Sequence, residues 1–293
     1  MKSVSDLYPG TEFRDLMVSN AEGWSAHNPS IARGPDGYRC IIRSVNYVYR
    51  NGEFIPNDPA GVVRTRNYIC DLDDSLRPVS MDLIDVSQVE GAAPFPHILN
   101  MEDARLFWNK NSWWVSGTVR YHRADGVPKI AVDRLEGNVS VERRILKNDD
   151  DVCEKNWMPI VGTGRWVYSV SPSKVVRNDG YLDMNRHNEL PPHLRGSSQL
   201  FPWKNGYLGV THEVTWEPTR YYWHRFIYFD SRGLAVSATE PFYFLSPGVE
   251  FANGLTVWQD KVVVSFGKNE ERAILAVIPG ELLRENLGPQ VRC

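Results

Sequence analysis

Short apolar runs alternate with tight polar or glycine-bearing turns along almost the whole chain, and long 3.6-residue periodicity is nearly absent. Five segments repeat one pattern: Asn28 to Tyr38, Asp103 to Trp113, Asn156 to Trp166, Ser197 to Tyr207 and Ala252 to Val262. Each opens on a polar or small residue and passes through a short apolar strand into a turn. The turns read Gly-Pro-Asp-Gly, Asn-Lys-Asn-Ser, Gly-Thr-Gly-Arg, Lys-Asn-Gly and Gln-Asp-Lys, and an aromatic or apolar run follows each. These are the residues that hairpin connections need. Stretches between the copies, such as VRTRNYICDLD, KIAVDRLEG with NVSVERRIL, and YYWHRFIYFD with LAVSAT, have room for two more strands.

Four strands per unit and five units predict an all-β fold, a five-bladed β-propeller of four-stranded antiparallel blades forming one domain over residues 1–293. The starts are 75, 53, 41 and 55 residues apart, near the ~40–50 of one blade, with an insertion around Gly52 to Pro59 enlarging the first gap. A β-sandwich would also hold such strands but gives no reason for the five-fold recurrence. A short C-terminal helix is predicted over 279–286.

Composition narrows the function. The 10 Trp, 13 Tyr and 11 Phe suit pleated, half-buried strands. Lys and Arg number 33 against 36 Asp and Glu, so the chain lacks the basic excess of a dedicated nucleic-acid binder. The N-terminus has no apolar leader stretch and no window approaches a membrane span, so a soluble cytoplasmic protein is expected. Cys40, Cys70, Cys153 and Cys293 form no CxxC pair, and free thiols are the expectation. No GxGxxG or Walker loop, HExxH or GxSxG is present, so neither metal nor cofactor is expected. Asp71-Leu-Asp73-Asp74 and Asn148-Asp149-Asp150-Asp151 read as an outer turn and a solvated loop.

In a propeller the first strand of every blade lines the central channel, so the five openings converge on one mouth. That gathers Asn28, Asp103 with Glu102 and Arg105, Lys155 with Asn156, Ser198, and Glu250. The antiparallel second strands return Arg43, His212, Glu213 and Glu270 to the same mouth. Carboxylates, cations, amides and imidazoles ringed by aromatics suit a sugar, which offers hydroxyls to polar forks and C–H faces to rings.

These motifs resemble glycoside hydrolase family 130, the mannoside phosphorylases and hydrolases, with related mannosyltransferases. Asn28-Pro29 with Arg43 is similar to the family's first-blade Asn-Pro and sugar-contacting Arg. Glu102-Asp103-Ala104-Arg105 is similar to its Glu-Asp-Pro-Arg, and Lys155-Asn156 with Pro159 to its third-blade Lys-Asp segment. Gly206 to His212 and Phe266-Gly267-Lys268-Asn269-Glu270 resemble the later-blade motifs, in order along the chain. The resemblance implies that Asp103 is the proton donor of an inverting, single-carboxylate mechanism acting on mannosyl units through a substrate hydroxyl. It implies substrate-binding roles for Asn28, Arg43, Arg105, Lys155, Asn156, His212 and Glu270, and the place of Ser198 and Glu250 at the same mouth adds them to the expected substrate-binding residues.

The chain departs from the pattern at Ala104, at Glu270 and at Tyr168 to Pro172, which lacks the arginine that holds phosphate in phosphorylases. Several chemistries therefore stay open. The missing arginine favours hydrolysis with a water activated by Glu213 or Glu250, or transfer from an activated (nucleotide) sugar, over phosphorolysis, and plain glycan binding is a further alternative. A structural Asp103–Arg105 pair, channel-filling ion pairs at Arg43 and Lys155, and a satisfied His212 are the competing readings of the residues themselves.

Overall fold

The structure is a computed structural model that describes residues 1–16, 23–50, 53–89, 91, 93–147, 151–216 and 219–287. The chain enters through β1 (Lys2–Ser3), α1 (Val4–Leu7) and β2 (Glu12–Asp15). A first sheet follows from β3 (Ser25–Gly34), β4 (Gly37–Val45), β7 (Val63–Leu72), β8 (Asp82–Leu83) and β9 (Ile98–Leu99). Between its second and third strands the hairpin β5 (Tyr47–Arg50) and β6 (Glu53–Pro56) stands apart as a two-stranded sheet, where the sequence places an insertion. The second sheet is β10 (Glu102–Asn109), β11 (Ser112–Val119), β12 (Lys129–Glu136) and β13 (Val139–Leu146). The third is β14 (Met158–Ile160), β15 (Arg165–Ser169), β16 (Ser173–Arg177) and β17 (Leu182–Arg186).

The fourth sheet joins β18 (Arg195–Gly196), β19 (Phe201–Trp203), β20 (Gly206–Thr215), β21 (Tyr221–Phe229), β22 (Ala235–Ala238) and β23 (Phe242–Tyr243). The fifth holds β24 (Glu250–Trp258), β25 (Lys261–Lys268) and β26 (Arg272–Pro279), and α2 (Gly280–Asn286) ends the described chain. All five repeated segments form the antiparallel hairpins that their turn residues predict. The predicted C-terminal helix is there too, with Leu283 and Leu287 in the core.

The arrangement is all-β and β-propeller-like. Neighbouring sheets share apolar clusters all the way round. Ile41 and Ile69 meet Leu106 and Val115; Val132 meets Trp157 and Trp166; Val167 and Val175 meet Ile227; Phe226 meets Val262 and Val264. Ile31 and Ile42 then meet Val263 and Val277, which packs the fifth sheet against the first. Alternation along β25 sends Val262 and Val264 to one neighbour and Val263 to the other. Because both faces of a sheet are covered, its central strands read as continuous apolar runs.

The outermost strand of the fifth sheet comes from the far end of the chain. In that sheet β2 pairs antiparallel with β26, Glu12 opposite Val277 and Asp15 opposite Ile274, while β1 adds to β23 in parallel. Ion pairs of Asp15 with Arg272 at 2.8 Å and Glu12 with Lys261 at 3.2 Å lie along the seam. No helix among the described residues is long and apolar enough to cross a membrane. Cys40, Cys70 and Cys153 are free thiols; Cys293 and Asn148 to Asp150 lie outside the described residues.

Candidate active site

The openings of β3, β10 and β24 are bulged. His27 pairs with Arg43 and Ser30 with Ile41, so Asn28 and Pro29 together face a single partner position. Asp103 and Ala104 do the same between Glu102–Thr118 and Arg105–Ser116, and Asn253 is the extra residue in β24. Asn28 and Asp103 take positive φ, 45° and 48°, and Asn156 in the third unit has φ 61°. Asn and Asp are among the few non-glycine residues that tolerate this region. A bulge re-aims a side chain out of the strand's two-residue alternation, and here it turns Asn28 and Asp103 toward one another.

Asp103 receives Asn28 Nδ2 at 3.0 Å and Arg43 Nη1 at 2.9 Å, both on Oδ1. Oδ2 has no hydrogen bond among the described residues, and the side chain keeps 26% of its surface exposed. Burial pushes the Asp103 carboxyl up, but Arg43, Arg105 and the Asn28 amide outweigh it and hold the carboxyl below its ordinary range. Burial also disfavours the Arg43 charge, and Tyr47, Asp103, Glu102 and Glu270 more than offset that, so its pKa rises. The cluster is thus an ionised carboxylate with one oxygen fixed and one available.

Glu270 flanks it at φ 61°. Its Oε2 lies 3.1 Å from His27 Nε2 and accepts from the Tyr47 hydroxyl at 2.9 Å, and Arg220 Nη2 is 3.5 Å from Oε1. Burial works against its charge, yet His27, Arg43 and Tyr47 bring its pKa down to about 2. Tyr222 on β21 completes the wall, its phenol pushed up to about 12 chiefly by burial. Tyr47, Arg220 and Tyr222 escape a motif reading: the first lies at the edge of the insertion and the others flank an aromatic run that reads as core strand.

Arg105 does not pair with the Asp103 carboxylate, as two-residue alternation would have it. The bulge intervenes, and Arg105, 1% exposed, donates instead to the carbonyls of Asp103 (3.1 Å), Gly196 (3.5 Å) and Ser197. It ties the second sheet to the fourth. Burial lowers its pKa to about 10, which leaves it cationic at neutral pH. His212 accepts or donates through Nδ1 to Ser197 Oγ at 2.7 Å and packs on Phe251 and Tyr222. Burial first, then His224, Arg195 and Arg105, pushes its pKa far down, so the ring is neutral.

Two residues expected to meet substrate, Ser198 and Glu250, and the candidate water activator Glu213 are committed elsewhere. Ser198 is fully buried, its hydroxyl donating to Gln199 O at 2.8 Å and accepting from Val210 N at 2.9 Å. Glu250, also fully buried, accepts from the backbone of Phe244, Leu245 and Ser246 at 2.6 to 3.0 Å and from Lys268 Nζ at 3.1 Å. Glu213 is held by His193 and by Arg225 at 3.4 Å. The acidic Asp71 to Asp74 turn is structural: Asp73 Oδ1 accepts from the backbone of Ser75 and Arg77 at 2.8 and 2.9 Å.

Lys155 and Asn156 line a separate cleft of about 350 Å³ with Ser169, Arg195 and Gly196. Neither Lys155 nor Arg195 has an ion-pair partner among the described residues, and no carboxylate lines the cleft. Gly196, whose carbonyl binds Arg105, connects the cleft to the Asp103 cluster.

No family model matches the chain, and no curated protein matches it. Solved structures do. A β-1,2-mannobiose phosphorylase from Listeria innocua, in complex with β-1,2-mannobiose, superimposes with a TM-score of 0.64 over 98% of each chain at 13% identity. The chain shares its fold with glycoside hydrolase family 130. A member reported among glycoside hydrolases that target β-1,2-mannosidic linkages in Candida mannan gives 0.65 at 10% identity, over 92% of this chain and 94% of that one. A mannose phosphorylase from Leishmania mexicana, in complex with a phosphate ion, gives 0.58 at 14% identity, over 91% and 87%. The fold that the motif resemblance implied and the fold found by superposition are the same.

Proposed function

We propose that this protein is a carbohydrate-active enzyme of the glycoside hydrolase and phosphorylase type that cleaves a β-mannosidic bond with inversion, Asp103 serving as proton donor. The accompanying fold reading is a single five-bladed propeller domain, one blade for each large sheet. The observation that carries the proposal is the half-committed carboxylate: Asn28 and Arg43 occupy Oδ1 of Asp103, and Oδ2 is left for a ligand. The mannobiose and phosphate in the structural relatives make mannosyl units the leading substrate class.

Before substrate binds, Asp103 is ionised. A sugar seated over it displaces water and brings a hydroxyl to Oδ2, and desolvation raises the pKa of the carboxyl so that it takes up a proton from solvent as the substrate binds. The proton passes through that hydroxyl to the glycosidic oxygen as the bond to the anomeric carbon breaks. Glu270, kept anionic by His27, Tyr47 and Arg220, binds sugar hydroxyls and stabilises positive charge developing on the ring.

Inverting hydrolysis needs a second carboxylate to activate water. Glu213 and Glu250 are held by other partners, which favours an incoming group that carries its own negative charge. Inorganic phosphate fits the cleft of Lys155, Asn156 and Arg195, with Arg195 supplying the cation absent between Tyr168 and Pro172. One phosphate oxygen bonds to the anomeric carbon, the glycosidic C–O bond breaks, and the leaving oxygen takes the proton. The products are a glycosyl phosphate and a free sugar hydroxyl.

The test is a mass-spectrometric assay of β-1,2-manno-oligosaccharides with the purified protein in water, with phosphate, and with GDP-mannose. Mannose 1-phosphate in the phosphate arm alone is expected. Release of free mannose without phosphate would replace phosphorolysis by hydrolysis, and product that requires GDP-mannose would make the protein a transferase. No product in any arm, with sugar binding retained, would make it a glycan-binding module and remove Asp103 from catalysis.

A further inference from the structure

The hairpin β5–β6 is the part of the chain that the repeat does not require. Tyr47 at its base donates to Glu270, and Tyr49 and Phe54 further along pack together with ring centroids 4.9 Å apart. Across the mouth, Arg220 comes from the approach to β21. Its guanidinium lies 5.2 Å from the Tyr49 ring, 5.7 Å from Phe54, 5.9 Å from Trp216 and 5.3 Å from Tyr222. The same guanidinium is 3.5 Å from Glu270. One cation therefore joins the carboxylate of the site to an aromatic rim outside it.

That rim is open. Trp216 is 68% exposed and Phe54 46% exposed. Isolated exposed aromatics are ordinary, but here two rings flank a guanidinium that reaches the site, and the patch continues the site outward. Aromatic faces beside a fixed donor are what a pyranose recognises: its C–H face lies on a ring and its hydroxyls bond to the polar group. We infer that Trp216 and the β5–β6 hairpin bind the outlying units of an oligosaccharide, so that the substrate of the Asp103 site is a chain longer than a disaccharide. This rests on the glycosidase reading above. A rim built only to grip a disaccharide would have no use for an indole beyond Arg220.

The experiment compares kcat/KM for β-1,2-mannobiose and β-1,2-mannotetraose in the wild type, Trp216→Ala, Trp216→Leu and Phe54→Ala. Both Trp216 variants should lower the tetraose-to-biose ratio by about tenfold, mostly through KM, because one stacked ring is lost. Phe54→Ala should lower it less. Trp216→Leu keeps an apolar side chain without the ring face, so a matching loss assigns the effect to stacking rather than to misfolding. An unchanged ratio in all three variants would overturn the inference while leaving the enzyme intact. A wild type that turns over neither sugar would overturn the glycosidase reading instead. Calorimetric binding of tetraose would then decide the rim: binding weakened by Trp216→Ala upholds it, and binding indifferent to Trp216 overturns it.

Discussion

Asp103 and Glu250 stand at the openings of β10 and β24, each a carboxylate on an inner strand, yet their oxygens are spent differently. Glu250 accepts from three backbone N–H groups and Lys268 and has no exposed surface. It knots the 244–246 loop to its own strand. Asp103 accepts from two side chains on one oxygen and keeps the other open to a ligand. A saturated carboxylate holds a fold together, and a half-saturated one has capacity left for chemistry. The bulge makes the difference: it lifts Asp103 out of the sheet, whereas Glu250 stays in register opposite Lys268.

Exchanging the acid for the amide should separate the two. Asp103→Asn keeps an oxygen for Arg43 and Asn28 and suits the left-handed backbone at φ 48°. Its turnover should fall by about 10²–10⁴-fold while Tm moves by only a few degrees. A collapse of Tm, with activity lost only in proportion, would make Asp103 structural. Glu250→Gln should do the reverse. It leaves the Lys268 ammonium buried without a counter-charge, at a cost of about 3 kcal/mol in denaturant unfolding, with kcat little changed in the protein that remains folded.

Much of this contrast is illegible in sequence. The five hairpins show because their turns need Gly, Asn and Asp, which a reader can see. The strand that completes the fifth sheet does not: Glu12-Phe-Arg-Asp15 is short and polar, and its partner β26 lies at the other end of the chain. Arg105 misleads because alternation puts it beside the Asp103 carboxylate until a bulge intervenes. Glu250 and Glu270 look alike as acids near strand ends. What separates them is the backbone N–H groups that one captures, and those have no letter in the sequence.

Acid sharpens the comparison further. The Glu270 pKa is depressed from an ordinary 4.5 to about 2, so its contribution to stability is complete above about pH 4.5 and is lost as pH falls toward 2. The Asp103 carboxyl, also held low, works in the same direction. Unfolding free energy should therefore drop between pH 4.5 and 2 by on the order of 2 kcal/mol more in the wild type than in Glu270→Gln. Parallel pH curves for the two proteins would show that Glu270 adds nothing to the fold.

The smallest change reaches the site through its floor. Gly267 in β25 faces the Asn28 bulge, and a methyl group there would sit 2.1 Å from Asn28 Oδ1 and 2.7 Å from its backbone nitrogen. A backbone atom cannot swing aside as a side-chain tip can, so Gly267→Ala must displace the bulge itself, at about 1–3 kcal/mol of overpacking. The Asn28–Asp103 hydrogen bond would lengthen, while Arg43 still holds the carboxylate. Loss of one neutral donor is worth about 1 kcal/mol, so kcat should fall about fivefold, with the alkaline limb of the pH profile moving upward because the proton donor Asp103 loses a partner of its anion. The three backbone donors to Glu250 lie at 244–246, off the strand that carries Gly267, so backbone amide exchange over those residues should match the wild type. Protection lost there as well would mean that the two carboxylates share one cooperative unit.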